Sequence, residues 1–364
     1  MEVYPKMYKN TIFFSFLAFS LYNVVKGEII MKNVLKVFIL VLIFGGALYA
    51  KAPYVATKSE IAQVVQEAYK KYKDDNGGKN ADYIKALAEV DPKLFAIAVV
   101  DKNGNVYEAG DVKKEVSIQS ISKVFTLALV MSEKGDEFVK EKIGVNATGL
   151  PFNSIIAIEQ HNGSASNPFV NAGAIEATSW VEAKNSQERW SKIAANMSTF
   201  AARDLKVNEE VYKSELSDNK RNQAIAKLLE AYGRMGSDPL KATTVYTKQC
   251  SMSVSAHDLA VMSATIANHG INPVTKTQVI PAKYTPKIMA VMATAGLYDN
   301  AGGWLYATGL PAKSGVGGGI IAIVPGEYGI AVVSPPLDAY GNSVRAQKAI
   351  AYIVEKLGLN PYAK

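Results

Sequence analysis

The chain has 364 residues, with 40 Lys+Arg against 33 Asp+Glu, three His and a single Cys. That length suggests roughly two domains, and a content of 49% apolar and 20% charged residues excludes wholesale disorder. One cysteine excludes an internal disulfide framework and a CxxC zinc cluster, and the scattered histidines offer no metal site. The net charge of +7 comes without a long Lys/Arg run, so no nucleic-acid partner is expected.

Two apolar runs, residues 12–25 and 37–50, come first in the chain. The second follows Met31-Lys32-Asn33-Val34-Leu35-Lys36 and leads into small residues at Ala47, Ala50 and Ala52, the parts of a secretory signal. Cleavage after Ala52 leaves Pro53 in a disfavoured place, so an uncleaved membrane anchor is the alternative. Only in that case is membrane contact expected. A start at Met31, with an upstream extension before it, accounts for two runs ahead of one export signal. The expectation is an N-terminal segment over 1–52 and a periplasmic or secreted protein. This segment holds a good part of the charge: residues 1–50 carry five lysines and two acids, a net +3 that leaves +4 for the rest. Export would put Cys250 in an oxidising compartment, where a buried, inert thiol is expected.

From Ser59 to Tyr72 apolar residues recur at helical spacing (Ile61, Val64, Val65, Ala68, Tyr69, Tyr72), which predicts an amphipathic helix. Residues 94–100 and 105–109 flank Asp101-Lys102-Asn103-Gly104 and read as a strand pair with a tight turn. The stretch from about 120 to 295 is helical in character. Residues 319–324 and 329–335 flank Pro325-Gly326-Glu327-Tyr328 as a second hairpin, and Ala346–Leu357 reads as a closing helix. Strands at both ends of a helical middle predict an α/β (α+β) architecture. Its antiparallel sheet domain is discontinuous, 53–118 plus 296–364, with an all-helical domain inserted at 119–295 and the active site between the two.

Ser120-Ile121-Ser122-Lys123 is an S-x-x-K at the start of an apolar helix. The i,i+3 spacing puts Ser120 and Lys123 on one face, where the lysine amine can take the serine proton. Positive potential at a helix start favours the alkoxide. A lysine beside an all-round apolar helix is buried, and burial favours the neutral amine that a general base requires. The same pattern recurs at Ser217-Asp218-Asn219-Lys220, where the polar surroundings point to a solvated face.

Lys313-Ser314-Gly315, followed by Val316-Gly317-Gly318-Gly319 and a strand, is the second element. A Lys-Ser/Thr-Gly strand beside an S-x-x-K serine is the arrangement of penicillin-recognising enzymes. The glycines allow backbone to approach the reacting carbon, and the N–H groups of Ser120 and Val316 are candidates for an oxyanion hole. Lys313 is expected to add a cation that lowers the pKa of Lys123. Taken alone, the motif reads first as a glycine-rich turn feeding an edge strand, and it is the joint occurrence with the S-x-x-K that favours the acyl-serine reading.

Seven ordered strings together resemble the serine-dependent glutaminase family: SIQSISKVFTL (117–127), GLPFNS (149–154), NPFVNAGAI (167–175), SELSDNKRNQAIA (214–226), VYTKQCSMSV (245–254), TAGLYDNAG (294–302) and the segment 313–338. The resemblance runs from about Ala56 to Leu359. It implies a β-lactamase/penicillin-binding-protein-like fold and hydrolysis of L-glutamine to L-glutamate and ammonia, without metal or other cofactor. It makes Ser120 the nucleophile and Lys123 its base, and makes Asn171, Glu215, Asn222, Tyr246, Tyr298 and Val316 substrate contacts. Lys313 joins the catalytic set from its own motif. Glu215 suits the substrate ammonium as a counter-charge, Asn171 and Asn222 suit its carboxylate, and Tyr246 suits proton delivery to departing ammonia. Without the resemblance, Glu215 reads as an exposed helix residue and Tyr246 as a core tyrosine. The family also implies a homo-oligomer, a dimer or tetramer. Two rivals remain open: a β-lactamase or penicillin-binding acyl-serine enzyme, and a non-catalytic ligand sensor on the same fold.

Overall fold

The computed structural model describes residues 56–363. The N-terminal segment expected over 1–52, with its signal or anchor, lies outside the described residues. Among the described residues no helix is long and apolar enough to cross a membrane.

Helix α1 (Lys58–Tyr72) starts where Thr57 and Glu60 form a reciprocal capping box, and buries Ile61, Val64, Val65 and Ala68 on one face. A short α2 (Lys85–Ala88) follows, and then the first hairpin, β1 (Ala96–Asp101) and β2 (Val106–Gly110). At its turn the Asp101 carboxylate accepts from the N–H groups of Asn103 and Asn105, both at 2.9 Å. After the two-residue β3 (Val116–Ser117) come helices α3 (Ser122–Lys134), α4 (Asp136–Lys142), α5 (Ile155–Gln160), α6 (Asn171–Trp180), α7 (Ser186–Ala201), α8 (Glu209–Ser217), α9 (Lys220–Ala231) and α10 (Pro239–Cys250). Then follow β4 (Ser253–Val254), α11 (Ala256–Ala267), α12 (Thr285–Ala295), α13 (Ala301–Thr308), β5 (Ala312–Ser314), β6 (Gly319–Val324), β7 (Tyr328–Val333) and α14 (Val344–Lys356).

The sheet is antiparallel in the order β2-β1-β7-β6-β5, so the first hairpin joins the last one through β1 and β7. The register sets Ala96 opposite Val333 and Lys313 opposite Ile321. Both faces are covered, which explains why the central strands are apolar throughout instead of alternating with polar residues. Ile97, Val99, Ile320, Ile330 and Val332 pack under α1 and α14. Ala98, Val100, Ile321, Ile323 and Ala331 pack with α11, whose own residues are nearly all buried. A Cβ on Gly329 would sit 2.1 Å from the Ala264 nitrogen, so α11 lies directly on β7 and only glycine fits between them.

Candidate active site

Ser120 lies in a 3-10 turn, Gln119–Ile121, that runs straight into α3. Gln119 has φ +50, a left-handed backbone for a residue with a side chain, and marks the sharp turn that presents the next residue. Two supports hold that turn. The Ile118 N–H donates to the Met252 carbonyl at 2.8 Å, extending the small β3–β4 ladder, and this brings the end of α10 beside Ser120. On the other side, Cβ atoms on Gly315 and Gly317 would meet the carbonyls of Ile118 and Ser117 at 2.9 and 2.5 Å. The glycines of the Lys-Ser-Gly segment therefore admit the backbone that leads to Ser120.

Lys123 is 1% exposed, on the buried face of α3. Its Nζ donates to the Phe169 carbonyl at 3.1 Å and to Asn171 Oδ1 at 2.8 Å, and burial brings its pKa down to about 8. The same Asn171 oxygen accepts from the Tyr246 hydroxyl at 3.1 Å, while Asn171 Nδ2 donates to Asn222 Oδ1 at 3.0 Å. One amide at the start of α6 thus links three helices around the lysine. Burial holds the Tyr246 phenol protonated, well above its ordinary range.

Glu215 on α8 is half-buried. Its Oε1 accepts from Gln119 Nε2 at 2.6 Å, and burial raises its pKa to about 7 against that bond. Tyr298 is buried with φ +54, and its phenol has the Ser120 side chain as a hydrogen-bonding neighbour. It also donates a long bond, 3.4 Å, to the Ser314 carbonyl. Val316 is buried in the turn after β5, and its N–H has no partner among the described residues.

Lys313 is fully buried. Its Nζ donates to the Ser314 carbonyl at 2.6 Å and lies 4.3 Å from the centre of the Tyr298 ring. Burial lowers both amines, and repulsion between the two adds to the lowering of Lys313.

The structure thus brings together Ser120, Lys123, Asn171, Glu215, Asn222, Tyr246, Tyr298, Lys313 and Val316. It leaves out the second S-x-x-K, because Ser217 and Lys220 are exposed at the junction of α8 and α9. Cys250 is buried near Ser122 Oγ at 3.7 Å, and burial pushes its thiol up to about 12, so it stays protonated. His161 and His257 are engaged elsewhere, with the Ala157 carbonyl and with Glu108. Among the described residues no cluster of three His, Cys, Asp or Glu side chains is placed to hold a metal. One residue was not found from the sequence. Gln119 adjoins the motif, but its bond to Glu215 spans 96 residues.

The glutaminase family model matches residues 78–362. The glutaminase of Colwellia psychrerythraea is 52% identical over 300 residues, covering 82% of this chain and 96% of that one. The chain belongs to the glutaminase family. It is an amidohydrolase. The solved structure of the probable glutaminase YbaS matches at TM-score 0.82 and 46% identity, over 83% of this chain and 98% of that one. A structure of Mglu in its glutamate form matches at TM-score 0.79 and 34% identity, over 83% of this chain and 70% of that one. The fold is accordingly the serine-β-lactamase-like α/β arrangement, with the antiparallel sheet flanked by helices.

Proposed function

We propose that this glutaminase hydrolyses L-glutamine through an acyl-enzyme on Ser120. The observation that carries the reading is the fully buried Lys123 amine, on the helix that begins at the Ser120 turn and held there by Asn171 Oδ1. Ser120 Oγ attacks the side-chain amide carbon while its proton passes to neutral Lys123. The oxyanion is received by the N–H groups of Ser120 and Val316, each such donor being typically worth about 3 kcal/mol of barrier. The C–N bond then breaks, and the leaving nitrogen takes a proton from Tyr246 or Lys123 and departs as ammonia. Water adds to the ester, gives its proton to the same pair, and glutamate leaves as Ser120 recovers its hydrogen. Glu215 faces the substrate ammonium, with Gln119 steadying the carboxylate. Asn171 and Asn222 serve the substrate carboxylate.

The glutamate form of the similar Mglu structure supports this choice of ligand. The test is ammonia release from L-glutamine, with L-asparagine as control, by wild type and Ser120→Ala. Wild type turns over glutamine and Ser120→Ala does not; turnover by Ser120→Ala at a near-normal rate defeats the proposal. We further propose export through the N-terminal segment and assembly as a dimer or tetramer. Mass spectrometry of the mature N-terminus and light scattering test these in turn.

A further inference from the structure

Tyr298 and Val316 flank Ser120, and residues far along the chain help to hold both. Tyr298 keeps a left-handed backbone at φ +54, a conformation that persists only where neighbours impose it. The Leu297 carbonyl, just ahead of it, accepts from the Asn300 N–H of its own turn at 3.1 Å and, from outside that turn, from Asn342 Nδ2 at 3.4 Å. Asn342 is fully buried, and its N–H donates to Asp338 Oδ1 at 3.0 Å, which closes a turn over Asp338–Asn342. Inside that turn Gly341, at φ +89, faces both site residues. A Cβ there would lie 3.6 Å from the Tyr298 ring and 3.7 Å from the Val316 side chain.

The next residues reach Val316 by a second route. Ser343 Oγ donates to the Ser334 carbonyl at 2.6 Å, and Arg345 Nε donates to Ser334 Oγ at 2.7 Å. The Ser334 N–H donates to the Gly318 carbonyl at 2.9 Å, and the Gly318 N–H to the Gly315 carbonyl at 2.9 Å, enclosing Val316. Arg345 is itself anchored by the carbonyls of Lys73, at 3.1 Å, and Leu94, at 3.2 Å, which belong to the sheet and its α1 cover.

Asn342 is also a poor choice for stability alone. Its Oδ1 is buried without a partner among the described residues, a cost that an apolar residue of the same size avoids. We infer that the Gly341–Arg345 segment is a positioning device for the reaction, with Asn342 the residue that sets Tyr298 against Ser120. This rests on the reading of Ser120 as the nucleophile. Misplacing groups around a reacting atom costs mainly turnover, because binding energy is collected elsewhere, here at Glu215, Asn171 and Asn222.

The experiment is a double-mutant cycle on glutamine hydrolysis by the full chain: wild type, Asn342→Ala, Tyr298→Phe and the pair. Asn342→Leu, which keeps the size and loses the donor, takes the place of the alanine variant should that variant not fold. Asn342→Ala is expected to lower kcat roughly ten- to a hundredfold, with KM within about threefold. In the Tyr298→Phe background the same change should cost less than half as much on a logarithmic scale. Additive losses, an unchanged kcat, or a loss carried by KM overturn the inference. Ser120→Ala in the same assay separates the two failures: residual activity there defeats the nucleophile reading, whereas an inactive Ser120→Ala beside additive losses defeats only the role of Asn342.

Discussion

Burial takes the Lys123 amine from its ordinary 10.5 down to about 8, while its hydrogen bonds to Phe169 and Asn171 fix where the nitrogen points. A general base acts in its neutral form, so kcat/KM is expected to rise as pH increases through about 8. Initial rates of ammonia release across pH 6–10 check this, and Lys123→Ala should lose orders of magnitude in kcat with its circular dichroism unchanged. Glu215 behaves in the opposite sense. Its carboxyl is raised to about 7, so it must shed a proton before it can face an ammonium. Glu215→Gln is expected to raise KM for glutamine by roughly ten- to a hundredfold and to change kcat much less. A variant with unchanged KM places the ammonium elsewhere. At this scale the sequence was informative where chemistry is local. Ser120 and Lys123 are three apart, and Lys313 adjoins its glycines. The Gln119–Glu215 bond was not legible, because elements far apart in the chain make it.

Among the elements, α11 and α6 carry titratable groups with consequences for stability. The His257 ring near the start of α11 meets Glu108 on edge strand β2 at 2.6 Å, and that bond raises its pKa above 6.5 against partial burial. A base with a raised folded pKa stabilises fully below its unfolded value and loses that contribution as pH climbs through the folded one. Thermal midpoints should therefore fall as pH rises past the raised His257 value, and His257→Asn should flatten that segment of the curve. Glu176 on α6 is fully buried, and neither carboxylate oxygen has a hydrogen-bond partner among the described residues. Burial raises it from 4.5 to about 8, with Arg234 and Lys142 pulling the other way. The unfolded chain then releases this proton near 4.5 while the folded one keeps it to about 8, so stability declines across that interval. Glu176→Gln should remove the decline and stabilise the protein at pH 8 by on the order of a few kcal/mol, as urea unfolding will register. Helix and strand positions were largely legible, since α1, both hairpins and α14 follow period and turn chemistry. The expected closing helix at Ala346–Leu357 begins slightly earlier, at Val344, because the Ser343 hydroxyl caps it by accepting from the Ala346 N–H at 3.3 Å.

Across the whole molecule, residues 56–363 pack as one unit, and the sheet draws strands from both ends of it. Helix α11 belongs to the middle of the chain, yet it buries itself against β1, β6 and β7. Expressed alone, residues 119–295 should lack this support and fail to fold cooperatively, which a broad thermal transition and dye binding would reveal. A sharp transition would show instead that the helical part has a sufficient core. The sequence by itself determined the local elements, the Ser120/Lys123 and Lys313 motifs and, through the ordered strings, the family. Those features depend on residues within a few positions of one another, or on their order along the chain. Tertiary structure alone decided how fully the two lysines lose their water, what the glycines of 315–317 pack against, and the support of Tyr298 by Asn342. Each depends on how much water a side chain loses and which distant backbone it meets, and neither is set until the sheet has closed over both ends of the fold.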